Sequence, residues 1–117
     1  MKKEGIDVEW AEEFSGAITV CDLKGIIVYM NKHSIDQFEK HGGEKLIGTN
    51  LLDCHPEPSK SVLKDMLIKP VVNMYTTENK GTRKFIHQSP WMRNGKFAGI
   101  IELSLVLDNQ IPNHVRT

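Results

Sequence analysis

Net charge is missing from this sequence. Fifteen basic and fifteen acidic side chains cancel, so no overall field steers the chain toward nucleic acid or an anionic membrane. Long apolar runs are missing too: none approaches the roughly 20 residues of a membrane-spanning helix. The opening MKKEGIDVEW has lysines but no apolar block, so it does not read as a secretory leader. Cysteine is scarce. The two present, Cys21 and Cys54, show no CxxC or metal-ligand spacing, and a reduced, cytoplasmic setting is the plain expectation. Catalytic signatures are absent as well. There is no Ser-His-Asp arrangement, glycine-rich phosphate loop or HExxH, so no enzyme activity is expected. At 117 residues the chain is one domain, long enough to bury a core without disulfides or metals.

What is present is best organised around Thr82 to Leu107. Two apolar-rich runs flank Asn94-Gly95, a strong hairpin signal. In the second run Phe97, Ile101, Leu103, Leu105 and Leu107 alternate with Ile100, Glu102, Ser104 and Val106, the pattern of a strand with one face in a core. A two-residue loop sets Gln88 opposite Ile101, Ile86 opposite Leu103 and Met92 opposite Phe97, all facing inward. Phe85, His87, Ser89 and Trp91 then face outward, with His87 opposite Glu102. A one-residue bulge would reverse this arrangement.

Before the hairpin, residues 6–15 are expected to form a short helix capped by Asp7, with Ile6, Trp10 and Phe14 on one stripe. Residues 17–22 and 26–31 read as strands joined by a turn at Asp22-Leu23-Lys24-Gly25. The second of them, nearly all apolar, is expected at the centre of the sheet. Asn31 or Ser34 starts a helix carrying Ile35 and Phe38, which Gly42-Gly43 ends. Residues 44–47 make another short helical turn, and 49–58 read as a loop. A helix follows Pro58, with Val62, Leu63, Met66 and Leu67 as its stripe. Residues 71–77 form a strand, and Glu78-Asn79-Lys80-Gly81 repeats the earlier turn pattern. This order predicts an α+β domain: a five-stranded antiparallel sheet with short helices on one face and an N-terminal helix. The expected divisions are a helix over 1–15, the domain proper over 16–108 and a polar tail over 109–117.

The runs AITVCDLKGIIVYMN, EKLIGTNLL and SPWMRNGKFAGIIELSLVLD, in this order and spacing, resemble those of PAS domains over about Phe14 to Asp108. The resemblance implies the PAS sheet and a role in signal transduction or regulation of transcription. Such a domain senses a small molecule, light or redox state, or serves as an interaction module. The marks of PAS photochemistry are missing. Light-sensing flavin domains carry a cysteine where Leu51 stands and a glutamine where Ile101 aligns. In photoactive yellow proteins Cys54 has a chromophore-bearing counterpart, but a tyrosine and a glutamate occupy the places of Met30 and Ser34. Haem-binding relatives ligate iron through a histidine near the long helix, which makes His55 the candidate axial ligand. No cofactor is required, and haem or non-covalent flavin is the alternative.

The expected ligand pocket is lined by Ile86, Gln88, Ile101 and Leu103 from the sheet and by Phe38 and Leu63 from the helices, with His55 beside them. Its single amide would orient a polar ligand group. The outward residues Phe85, Trp91 and Ile100, with Trp10 and Phe14 of the first helix, are the expected interface. The partner is a second copy or another signalling protein.

Overall fold

In the computed structural model, residues 2–3, 6–7 and 9–117 are described. The elements are β1 (Lys2–Lys3), β2 (Ile6–Asp7), α1 (Glu9–Glu12), β3 (Ala17–Asp22), β4 (Ile27–Met30), α2 (Lys32–Gln37), α3 (Ser59–Met66), β5 (Asn73–Asn79), β6 (Thr82–Arg93) and β7 (Lys96–Leu107). Three 3-10 turns, Glu39–His41, Gly43–Leu46 and Leu51–Cys54, lie between α2 and α3. The main sheet is antiparallel in the order β4-β3-β7-β6-β5, and β1 pairs separately with β2. No helix among the described residues is long and apolar enough to cross a membrane.

Local chemistry accounts for most boundaries. Asn31 caps α2 by accepting the Ser34 N–H at 2.9 Å, satisfying one of the first-turn donors. Asp22 Oδ1 accepts the N–H groups of Lys24 and Ile26 and holds the β3–β4 turn. Asn94 (φ 51°) and Gly95 (φ 76°) both take positive φ, as a two-residue hairpin loop of the expected type requires. Lys80 and Gly81 do the same. The β5–β6 turn is therefore a tight two-residue loop rather than a repeat of the Asp22 pattern. The stretch expected as loop contains the Leu51–Cys54 turn, where Asn50 Oδ1 accepts the Leu52 N–H at 2.9 Å.

Three further expectations are corrected. First, the N-terminal helix covers only Glu9–Glu12, and Ile6 and Asp7 belong to a strand. A helix this short has no stability of its own. What fixes it is Ala11, buried at 3% exposure, not a Trp10–Phe14 stripe: Trp10 is 67% exposed. Second, β4 is an edge strand rather than a central one. Its apolar content is explained by Ile27 and Met30, which both enter the core. The 48–51 segment covers its edge through Ile27 N–H to Thr49 O (2.9 Å) and Gly48 N–H to Ile27 O (2.8 Å).

Third, the register of the terminal hairpin shifts. Met92 faces Phe97 as expected, but Trp91 then faces Gly99, and Ala98 is an extra residue. This bulge moves every later partner by one: Gln88 lies opposite Glu102, Ile86 opposite Ser104 and His87 opposite Leu103. Ile100, Glu102 and Ser104 therefore point inward and are buried, while Ile101, Leu103 and Leu105 face out and are half-buried. Gly99 (φ 152°) makes the shift possible. A Cβ there would collide with the Cys21 carbonyl oxygen and stand 2.8 Å from Trp91 Nε1. The Trp91 indole uses that gap to donate to Cys21 O at 2.9 Å, tying β6 to β3 across β7.

Inside the cup, Cys21, Ile27, Met30, Leu51, Leu63, Met66 and Ile100 form the core, with Ile35, Phe38, Leu46, Leu52 and Leu67 packed around it. Gly99→Ala is expected to lower stability by about 2 kcal/mol or more, the cost of overpacking against rigid backbone. Urea unfolding checks this; an unchanged midpoint would show that the bulge does not depend on glycine.

Candidate functional site

The register places a carboxylate at the centre of the inner sheet face. Glu102 is 5% exposed and Gln88 is fully buried. Gln88 Nε2 donates to Glu102 Oε2 at 2.7 Å, and Gln88 Oε1 accepts from Asn73 Nδ2 at 2.9 Å. On the far side His55 Nε2 lies 3.2 Å from the same Glu102 Oε2, while its Nδ1 lies 3.0 Å from Leu51 O. The result is a buried polar chain, Asn73–Gln88–Glu102–His55, running from edge strand β5 across β6 and β7 to the turn before α3. Among the described residues no buried side-chain nitrogen or oxygen lacks a partner. This matters because an unpaired buried amide or charge would cost on the order of 1–3 kcal/mol.

Electrostatics follow from burial. Desolvation alone would lower the pKa of His55, but the hydrogen bond and charge of Glu102, with the Leu51 carbonyl, outweigh it and raise the value above 6.5. Burial lifts the Tyr75 hydroxyl, and the charge of Glu102 adds to the shift. Desolvation pushes the Cys21 thiol up to about 11. Cys54 is raised by desolvation and by the charges of Asp53 and Glu102. At both cysteines burial thus favours the thiol over the reactive thiolate. No group of three or more metal-ligating side chains occurs among the described residues.

Of the expected pocket residues, Gln88, Ile86 and Leu63 point into the cup and His55 joins them, with Phe38 packed at the margin. Ile101 and Leu103 do not; they lie on the opposite face. Of the expected interface residues, Phe85 and Trp91 face outward, half-buried, and Trp10 and Phe14 are exposed. Ile100 is not at a surface at all: at 1% exposure it belongs to the core. His87 stands beside Phe85 on the outer face, away from Glu102. The residue that sequence reasoning missed is Glu102. The signal that would have found it was Gly99, since a glycine inside a strand marks a bulge.

No family model and no curated protein matches this chain. Solved structures do. The PAS domain of Bordetella pertussis BvgS superposes with a TM-score of 0.64 at 15% identity, over 85% of this chain and 82% of that one. The Aer2 receptor from Vibrio cholerae, a dual PAS-haem oxygen sensor, gives 0.58 at 15% identity, over 80% and 95%. The sensor region of a sensor histidine kinase gives 0.59 at 17% identity; it covers 82% of this chain, which spans 42% of that region. The fold is that of a PAS domain, a five-stranded antiparallel sheet cupped by short helices.

A haem ligated by His55 does not fit this arrangement. Both imidazole nitrogens are engaged, by Glu102 and by Leu51. The core of the cup is packed with Leu63, Met66 and Ile100, each 2% exposed or less.

The His55–Glu102 pair predicts a pH dependence. Because the folded state raises the pKa of His55, the stabilisation is fully present below pH 6.5 and is lost as pH rises through the raised value. Thermal unfolding across that window is expected to show a declining midpoint, and His55→Gln to flatten it. His55→Ala, which leaves the buried Glu102 carboxylate without its cationic partner and held by Gln88 alone, is expected to cost about 3 kcal/mol.

Proposed function

We propose that this domain is a signal-sensing module that recognises a small, polar, uncharged molecule at the Gln88–Glu102 strip. It would pass the signal on through the outer face of its sheet to a second copy or to a partner regulator. The observation that carries the reading is the continuous polar chain, with a carboxylate at its centre, buried beside the apolar core. A filled core has no need of a carboxylate, two amides and an imidazole, and apolar residues of the same volume would serve stability as well or better. Sensing by the histidine kinase regions and the receptor of like fold supports the same class of role. The domain acts by binding, not by catalysis.

A ligand bearing one donor and one acceptor would exchange for two existing links: Asn73 to Gln88, and His55 to Glu102. Breaking the first loosens edge strand β5; breaking the second frees the 51–55 turn that leads into α3. Bound and free states then differ in how β5 and α3 sit on the sheet, and the ligand shifts the population between them. Native mass spectrometry of the protein purified from cells tests this. A retained small mass is expected in the wild type and not in Gln88→Leu. An empty wild-type protein that also shows no thermal shift with any of a panel of polar metabolites would sink the ligand reading.

A further inference from the structure

At the turn end of the terminal hairpin a cleft of about 640 Å³ opens between the β3–β4 turn and strands β6 and β7. It is separate from the cup: none of its lining residues belongs to the core or to the Asn73–Gln88–Glu102–His55 chain. Val28, Trp91 and Phe97 supply its apolar floor, and Lys24, Arg93 and Lys96, all exposed, stand around it. The volume is that of a small-molecule site, within the range of roughly 300–1,000 Å³ that such sites occupy.

The charge of the rim is of one sign. Asp22 is the one carboxylate in the lining, and its Oδ1 accepts the N–H groups of Lys24 and Ile26 in its own turn. Acidic side chains equal basic ones in number over the whole chain, yet none is placed to neutralise this end. Among the described residues the one ion pair is His55–Glu102, so the three cations stand without a carboxylate partner.

The parts are also held in position. The Trp91 indole donates to Cys21 O at 2.9 Å, which fixes the plane of the floor. Lys24 O accepts from Asn50 Nδ2 at 3.2 Å, which ties the β3–β4 turn to the segment beside it. The Arg93 guanidinium lies 5.1 Å over the Trp91 ring. That contact uses the flat face of the guanidinium and leaves the N–H groups along its edge free to grip an anion in a fork. An apolar floor asks for a flat apolar body, and an oriented fork flanked by two ammonium groups asks for a carboxylate or a phosphate.

We propose that this cleft is a second ligand site, which takes a small aromatic anion: a flat ring against Phe97 and Val28 at the edge of Trp91, and its carboxylate or phosphate on Arg93, Lys24 and Lys96. The site is independent of the Gln88–Glu102 strip and of any ligand bound there.

NMR of the nitrogen-labelled full chain tests it, with indoleacetate and adenosine monophosphate as probes and indoleacetamide and adenosine as their uncharged counterparts. At least one anion is expected to move the Trp91 indole N–H signal, told from that of Trp10 by W10F, together with the amides of Arg93 and Lys96. Binding of indoleacetate alone would assign the site to carboxylates, and of adenosine monophosphate alone to phosphates. The uncharged counterpart is expected to bind at least about tenfold more weakly, as is the anion to K24Q/R93Q/K96Q, the loss expected when charge-assisted hydrogen bonds are removed. All three substituted residues are exposed, so the core is untouched, and unchanged amide dispersion checks that the variant is folded. No shift with either anion at millimolar concentration would overturn the assignment. So would equal binding of the uncharged counterparts, undiminished binding to the variant, or shifts centred on Gln88 and Glu102, which would put the probe in the cup.

Discussion

The contact on which the rest of this domain depends is the Trp91 indole reaching Cys21 O over Gly99. It requires a residue without a Cβ at one point in the central strand, and the extra residue Ala98 that comes with it turns β7 by half a period. What each face of the sheet presents follows from that half-turn. Without it, Ile101 and Leu103 would line the cup and Glu102 would face out. With it, a carboxylate sits under the helices, a leucine-rich stripe is left outside, and the hairpin end is shaped into a cleft with Trp91 as its floor.

The inner face is consequently a compromise. A buried carboxylate is tolerated only because the chain surrounds it with Gln88 and His55, and Gln88 in turn with Asn73. The four side chains come from three strands and one turn, so no single element can shift without breaking a hydrogen bond in the middle of the core. This couples elements that have little apolar packing in common. Edge strand β5 has no fully buried residue, yet it is linked through Asn73 to the turn before α3.

The fold was legible in the sequence because its signals are local. Asn94-Gly95 and Asp22 to Gly25 announce their turns, Asn31 its helix, and the order of elements leaves few arrangements. The site was half legible. Gln88, Ile86 and Leu63 face inward because β6 is not bulged and α3 keeps its period. The β7 residues were misplaced because strict alternation of Ile101, Leu103 and Leu105 is a strong apolar signal, and it belongs here to the outer face. A single glycine outweighs it. The sequence around His55 points to a haem ligand; its pairing with Glu102, 47 residues away, is a tertiary fact with no local trace. The N-terminal helix is shorter than its apolar spacing suggests, because that spacing is weak support in so short a segment and the small residue Ala11 carries the burial instead.

Asn31 has a further consequence. Its amide holds Ala11 O and Gly16 O on one side, and the N–H groups of Ile18 and Ser34 on the other, all at 2.9–3.0 Å. One side chain thus joins the segment ahead of the sheet, the first strand and the helix above it. A pull on the N-terminal segment loads this knot before it loads the cooperative backbone ladder of β3. Individual side-chain hydrogen bonds, worth about 1 kcal/mol each, give way first. Asn31 is in that sense a mechanical fuse: tension at the N-terminal end parts its Nδ2 from Ala11 O and Gly16 O first, while its cap on α2 and the sheet remain in place.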